Sequence, residues 1–159
     1  MILVTHSVIG ASLAHRFTSA AAAFVVGLIS HYVSDMIPHW HYPVPEIVRA
    51  AEKPAGTKAL TMNMVLFPEL IRVSIDLVLG IGLALFLFKG SPLVVFFAAF
   101  GAVLPDLLVG LAKFYPQKIL VWHDIIHRKV HTRIRLDDRH FLGIGSQAAI
   151  AFLLAWLFL

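Results

Sequence analysis

The segment His31-Tyr-Val-Ser-Asp35-Met-Ile-Pro-His39 carries the sharpest chemical pattern in this 159-residue chain. On a helix, residues four apart differ by only ~40° in direction and ~6 Å in height. His31 and Asp35 can therefore bind one metal ion together, or Asp35 can orient the His31 ring from behind. His39 follows Pro38 and can bend back toward the same point. Imidazole and carboxylate donors suit zinc, with manganese or iron as alternatives. The competing reading is an interfacial belt of Trp40, Tyr42 and the histidines, at the depth Trp and Tyr favour.

Other candidates lie elsewhere in the chain. His123, His127 and His131 recur every four residues. On a helix the outer two stand ~12 Å apart, so one ion can take an adjacent pair but hardly all three. An amphipathic helix with a histidine stripe facing headgroups explains the same spacing. Asp106, in Gly101-Ala-Val-Leu-Pro105-Asp106, interrupts an apolar run. A carboxylate there is costly and normally faces a partner or a polar cavity. Pro105 loosens the backbone beside it. Glu69, Arg72 and Asp76 share a helix face at spacings of three and four, which reads as an intramembrane salt-bridge set. Glu69 could instead be a metal ligand or general base. His15 and His140 read as structural.

The elements that must position these residues are apolar helices. The composition is 59% hydrophobic and 14% charged, with a mean hydropathy of +0.84. Soluble domains run near ~45–50% apolar and ~25% charged. A membrane helix needs about 20 mostly apolar residues. Residues 63–88, 92–113 and 141–159 meet that standard, and Ser91 and Pro92 suit the cap and first turn of the second. Residues 3–37 read as a hairpin of two shorter helices, Thr5 to Ala14 and Ala20 to about Ile37, the second capped by Thr18 or Ser19 and ended by Pro38. Small residues from Gly10 to Gly27 allow the arms to approach closely. Two polar connectors remain, 42–61 with an amphipathic stretch from Pro45 to Lys53, and 114–140 with a helix from Lys118 to about Thr132. The expected fold is therefore all-α, a single polytopic membrane domain. No cysteine is present, so thiolate sites and disulfides are excluded. The N-terminus lacks a basic region and reads as mature sequence rather than a signal peptide.

Charge sets an expected orientation. If Lys89-Gly90-Ser91 faces one side, ten Lys and Arg from Arg49 to Arg139 face the other, against Arg16 and Lys89. By the positive-inside rule the connectors are cytoplasmic. His6, His31, Asp35, His39, Asp106, His127 and His131 then all fall in the cytoplasmic layer. The pI near 9.7 reflects these topology-setting loops, and no nucleic acid is expected as partner. Membrane lipids are, because each basic residue near an anionic headgroup surface contributes ~1 kcal/mol.

Taken together, Thr5-His6-Ser7-Val8-Ile9-Gly10, the His31-to-Trp40 segment, Leu104-Pro105-Asp106 and His127-Arg128 with His131-Thr132 resemble small prokaryotic inner-membrane proteins grouped as metal-dependent hydrolases, the LexA-binding-associated membrane hydrolase group. The scattered His/Asp set is also similar, more faintly, to zinc-dependent phospholipase C. The resemblance implicates His6, Asp106, His127 and His131 as metal ligands beside His31, Asp35 and His39. Members continue Leu-Pro-Asp with a further Asp and a His, where this chain has Leu107, Leu108 and Val109. They also place Gly and Thr between the two later histidines, where Lys129 and Val130 stand here. Those departures weigh against a two-metal version of the site.

The expectation that follows is a membrane-embedded metal-dependent hydrolase opening to the cytoplasmic headgroup layer. Asp35, Glu69 or Asp106 would accept the proton of an activated water, and the substrate would be a lipid or lipid-linked ester or phosphoester. No Gly-x-Ser-x-Gly supports serine catalysis. Two alternatives stay open. One is a structural or sensory metal site. The other is a metal or proton transporter, although residues 77–88 offer no polar continuation.

Overall fold

The computed structural model describes residues 1–41, 44–132, 134 and 136–158. Tyr42, Arg133, Arg135 and Leu159, each part of an expectation above, lie outside them. Seven α-helices follow in chain order: α1 Leu3–Ala14, α2 Ala20–Asp35, α3 Pro45–Glu52, α4 Leu66–Leu87, α5 Pro92–Phe114, α6 Lys118–Val130 and α7 His140–Phe158. Among the described residues α4, α5 and α7 are long and apolar enough to cross a membrane. The ranges expected from the apolar runs hold within a few residues. α2 stops at Asp35 rather than Ile37, because Pro38 disfavours helical geometry in the residue before it, and Met36 and Ile37 close a turn onto Val33 and Ser34. Ser19 caps α2 by accepting from Ala22 N–H at 3.3 Å. Ser91 makes no such bond, and Pro92 alone marks the start of α5.

The fold is built around α1. At 12 residues it is about 18 Å long, too short to span, and ten of its residues are buried. It packs against α2, α4, α5 and α7. Close approach to α5 depends on glycine. A Cβ on Gly27 would lie 2.1 Å from the Ala98 carbonyl oxygen, and one on Gly10 would lie 2.6 Å from Ala102 Cβ. Ala14, Ala23, Val94 and Ala98 fill the rest of that seam. The outer faces of α4 and α7 leave Val78, Phe86, Phe141, Phe152 and Trp156 exposed, the pattern expected where lipid replaces water.

A buried helix start leaves its first N–H groups without water to bind. Asp76 of α4 meets this need by accepting from Leu3 N–H (2.7 Å) and Val4 N–H (3.3 Å), and Gln147 of α7 accepts from Ile2 N–H at 3.1 Å. Glu69 serves α3 in the same way, accepting from Glu46 N–H and Ile47 N–H at 3.0 Å each. Both carboxylates on this helix face thus cap neighbouring helices, a role that goes beyond the salt-bridge set expected from their spacing. Spacing along α4 reports which residues share a face, and it is blind to the helix starts docked on that face.

The connectors are anchored to the bundle. Lys113 and Asp124 are buried and pair at 2.6 Å, and Arg128 Nε reaches the other Asp124 oxygen at 2.8 Å. Lys113 also donates to Lys53 O, and Arg128 donates to Ala51 O and Lys53 O, tying α5 and α6 to the end of α3. Lys113 and Arg128 therefore tie α5, α6 and the end of α3 together through Asp124 and the backbone oxygens.

Candidate metal centre

Four elements deliver side chains to one point near the end of the bundle. α1 brings His6 on its first turn, α2 brings His31 and Asp35 on its last, α5 brings Asp106, and α6 brings His127. One donor atom each from His31, Asp35, Asp106 and His127 lies within 4.8 Å of all the others. His31 Nε2 stands 3.1 Å from Asp35 Oδ2 and 3.1 Å from His127 Nε2. His127 Nε2 lies 3.3 Å from both Asp35 Oδ2 and Asp106 Oδ1. His6 Nε2 lies 3.2 Å from Asp35 Oδ1 and 3.8 Å from Asp106 Oδ2, and the Met1 amino group lies 3.3 Å from Asp35 Oδ1.

Some of these groups hydrogen-bond one another, as His31 Nε2 does His127 Nε2 and the Met1 amino group does Asp35 Oδ1, and others do not. His6 Nε2 and Asp35 Oδ2 are buried without a hydrogen bond of acceptable geometry among the described residues, although polar atoms surround both. Asp35 and its neighbours His31, Asp106 and His127 bring one donor atom each to a space small enough to hold an ion. The outer ring nitrogens are engaged from behind. His31 Nδ1 bonds the Ala102 carbonyl at 2.8 Å, in the turn that Pro105 loosens, and His6 Nδ1 meets Ser34 Oγ at 3.0 Å. A carbonyl only accepts, so the His31 proton sits on Nδ1 and Nε2 offers its lone pair inward. That support behind the ring is the usual companion of a metal-binding histidine.

A second group of donors, His39, His41 and His131, adjoins the first. Asp35 separates them, with Oδ1 3.9 Å from His39 Nε2 and Oδ2 3.8 Å from His131 Nε2. The chain after α6 lies against the chain after α2 through Thr132 N–H to Asp35 O (2.8 Å) and Leu136 N–H to His39 O (3.1 Å). Burial favours the neutral form of these rings: it holds His39 down at about 3, helped by the nearby Met1 ammonium, and it lowers His41 and His131 as well. His127 differs. Burial lowers it too, but the Asp106 and Asp35 carboxylates beside the ring outweigh that and raise it to about 9. The carboxylate pair thus draws positive charge to its centre.

Every metal-ligand candidate in the His/Asp set read from the sequence lies in or against these two groups. Glu69 does not: both of its oxygens are held at the start of α3. The three evenly spaced histidines of α6 and its end divide their roles. His127 joins the first group and His131 the second, while His123 Nε2 meets the Tyr32 hydroxyl at 3.1 Å. Sequence reasoning misses His41. Its position two residues after His39, beyond a proline, carries no helical signal, and the i, i+2 pair of histidines is the available hint.

A cavity of about 690 Å³ borders both groups. Val44, Ile47, Leu70, Val73 and Phe114 supply apolar wall, and Asp106, His127, His131 and His41 supply the polar end. Of the first donor set, Asp106 is the most accessible at 26% exposed, against 0–8% for the other three. No protein-family model, curated protein or solved structure matches the chain.

Proposed function

We propose that this protein is a membrane-embedded metal-dependent hydrolase that cleaves a lipid or lipid-linked ester or phosphoester at the cytoplasmic headgroup layer of a prokaryotic inner membrane. The reading is carried by one observation, the convergence of His31, Asp35, Asp106 and His127, of which Asp106 and His127 line the polar end of a largely apolar cavity. Two imidazoles and two carboxylates suit zinc, with manganese or iron next. A divalent ion there would lower the pKa of a coordinated water toward neutrality and polarise the scissile carbonyl or phosphoryl oxygen. Asp106 borders the cavity, within reach of a substrate, and can accept a proton there. His6, 3.8 Å from Asp106 and backed by Ser34, can steady that carboxylate. Apolar walls would exclude water from the scissile bond while receiving an acyl or alkyl chain.

A structural or sensory metal site is the second reading, and the same donor count favours it. Four protein ligands are what a closed structural zinc site contains, whereas catalytic sites keep a position open. Purified protein separates the two. Metal analysis should find bound divalent metal, absent from His31→Ala and Asp35→Ala. A panel of phospholipids, lysophospholipids and phosphoesters should then show turnover that stops with chelator and returns with zinc. Wild-type protein without metal removes both readings; metal without turnover across the panel leaves the structural one.

A further inference from the structure

His39, His41 and His131 form a donor set of their own, arranged in the same way as the first. Each Nδ1 faces an oxygen that only accepts: Ile37 O for His39 at 2.7 Å, Asp137 Oδ1 for His41 at 3.0 Å and Thr132 O for His131 at 2.8 Å. Each Nδ1 therefore carries the ring proton, and each Nε2 presents a lone pair. One nitrogen from each of the three rings lies within 4.8 Å of the other two, and Nε2 of His39 and Nε2 of His41 are 3.2 Å apart. With both rings neutral, two lone pairs would face each other at that distance, a repulsion that a proton or a metal ion between them removes. The rings crowd accordingly, with centroids 4.7 Å (His39–His41), 4.9 Å (His39–His131) and 5.6 Å (His41–His131) apart.

The supports are built in as well. Asp137 accepts from both the backbone N–H and the ring of His41. Leu136 N–H and Thr132 N–H pin the neighbouring chain to His39 O and Asp35 O. An irregular loop holding three imidazoles in register needs such bracing, because loop residues are otherwise the least constrained in a fold. Asp35 completes the arrangement. Its oxygens stand 3.8–3.9 Å from this set and 3.1–3.3 Å from the first, both within the separation of ligands on a common ion.

We propose that His39, His41 and His131 hold a second divalent metal ion, joined through Asp35 to the ion of the first set. Three imidazoles and one carboxylate select zinc or a neighbouring late transition metal over magnesium or calcium. This goes beyond the proposed hydrolysis, since the ligands would retain their ion whether or not the centre turns over substrate. It also runs against the expectation of fewer metals drawn from Leu107 and Leu108. The missing donors of that segment are replaced here by His41, which comes from the loop after α2.

The test counts ions. Detergent-purified protein is loaded with zinc, passed through a desalting column with a weak chelator, and assayed for zinc per chain. Wild type should hold two, and His41→Ala and His131→Ala should each hold one. His41 is in a loop and partly exposed, so its variant should fold; His131→Ala gives an independent loss of the same ion. Cobalt-loaded wild type should show a visible spectrum that loses part of its intensity in both variants. One zinc per chain in wild type, or two retained in both variants, overturns the proposal. Failure of the hydrolase reading looks different: two ions per chain with no turnover.

Discussion

Asp35→Asn isolates the residue on which both donor sets depend. The side chain is 1% exposed and touches His6, His31 and His127 at 3.1–3.3 Å. Asparagine keeps the volume and one carbonyl oxygen, so the bundle should still fold. What changes is charge. With Asp35 and Asp106 ionised, a divalent ion held by the proposed first set would be neutralised; in the Asp35→Asn variant it would retain an uncompensated positive charge away from water. Removing one partner of a buried charge pair costs about 3–5 kcal/mol. At about 1.4 kcal/mol per decade, zinc affinity should fall by roughly two to three and a half orders of magnitude. Competition against a chromophoric zinc chelator in detergent reads this directly. Thermal unfolding reads it again. Zinc at 100 times the wild-type Kd should stabilise wild type by about 2.7 kcal/mol, and a variant weakened 100-fold by only about 0.4 kcal/mol. An Asp35→Asn protein that binds zinc within about threefold of wild type, with the same thermal gain, would refute the placement of Asp35 among the ligands.

Three further outcomes follow from packing. Gly27→Ala places a methyl 2.1 Å from the Ala98 carbonyl, which is backbone and cannot swing aside; the variant should lose about 1–3 kcal/mol in thermal unfolding, and a neutral result would contradict the α2–α5 seam. Asp124→Ala strands Lys113, which is 1% exposed, and should cost about 3–5 kcal/mol, while the Lys113→Met/Asp124→Leu pair should recover most of that loss in the same unfolding assay. Gly110→Leu points into open space on the cavity wall, so stability and zinc content should hold while turnover of long-chain substrates falls more than that of short-chain ones; equal losses across chain lengths would place the substrate's apolar chain elsewhere.

The elements are legible in the sequence because hydrophobic runs, Pro38, Ser19 and Pro92 act locally. The His31–Asp35 pair is legible for the same reason: i, i+4 spacing fixes two side chains on one helix without knowledge of anything else. What the sequence hides is tertiary. Glu69 and Asp76 read as sharing a face with Arg72, and nothing in that spacing reports that their oxygens also serve the starts of α3 and α1. Lys113 reads as a basic residue at the end of an apolar helix, counted toward topology, and is buried on Asp124. His41 has a defined position only because Asp137, 96 residues later, holds its backbone and ring. Periodicity carries no trace of such a contact.

The cost of the polar centre bears on which reading of it is right. Buried ionic clusters are weak contributors to stability, and well-packed apolar residues of similar volume often do better. A bundle this apolar could fill the space among α1, α2, α5 and α6 with apolar side chains, as it does around Val8, Ala84, Val95 and Ala99. It instead concentrates two carboxylates and several imidazoles there, with backbone and hydroxyl partners behind the rings of His31 and His6. A purely structural ion would be best enclosed on all sides. Here the least buried ligand, Asp106, borders the large cavity, and His41, His127 and His131 border the same space. The centre is therefore closed toward the bundle and open toward a cavity able to admit a chain-bearing molecule. That asymmetry favours catalysis over structure, because an ion serving only to hold helices together gains nothing from a face turned to a cavity.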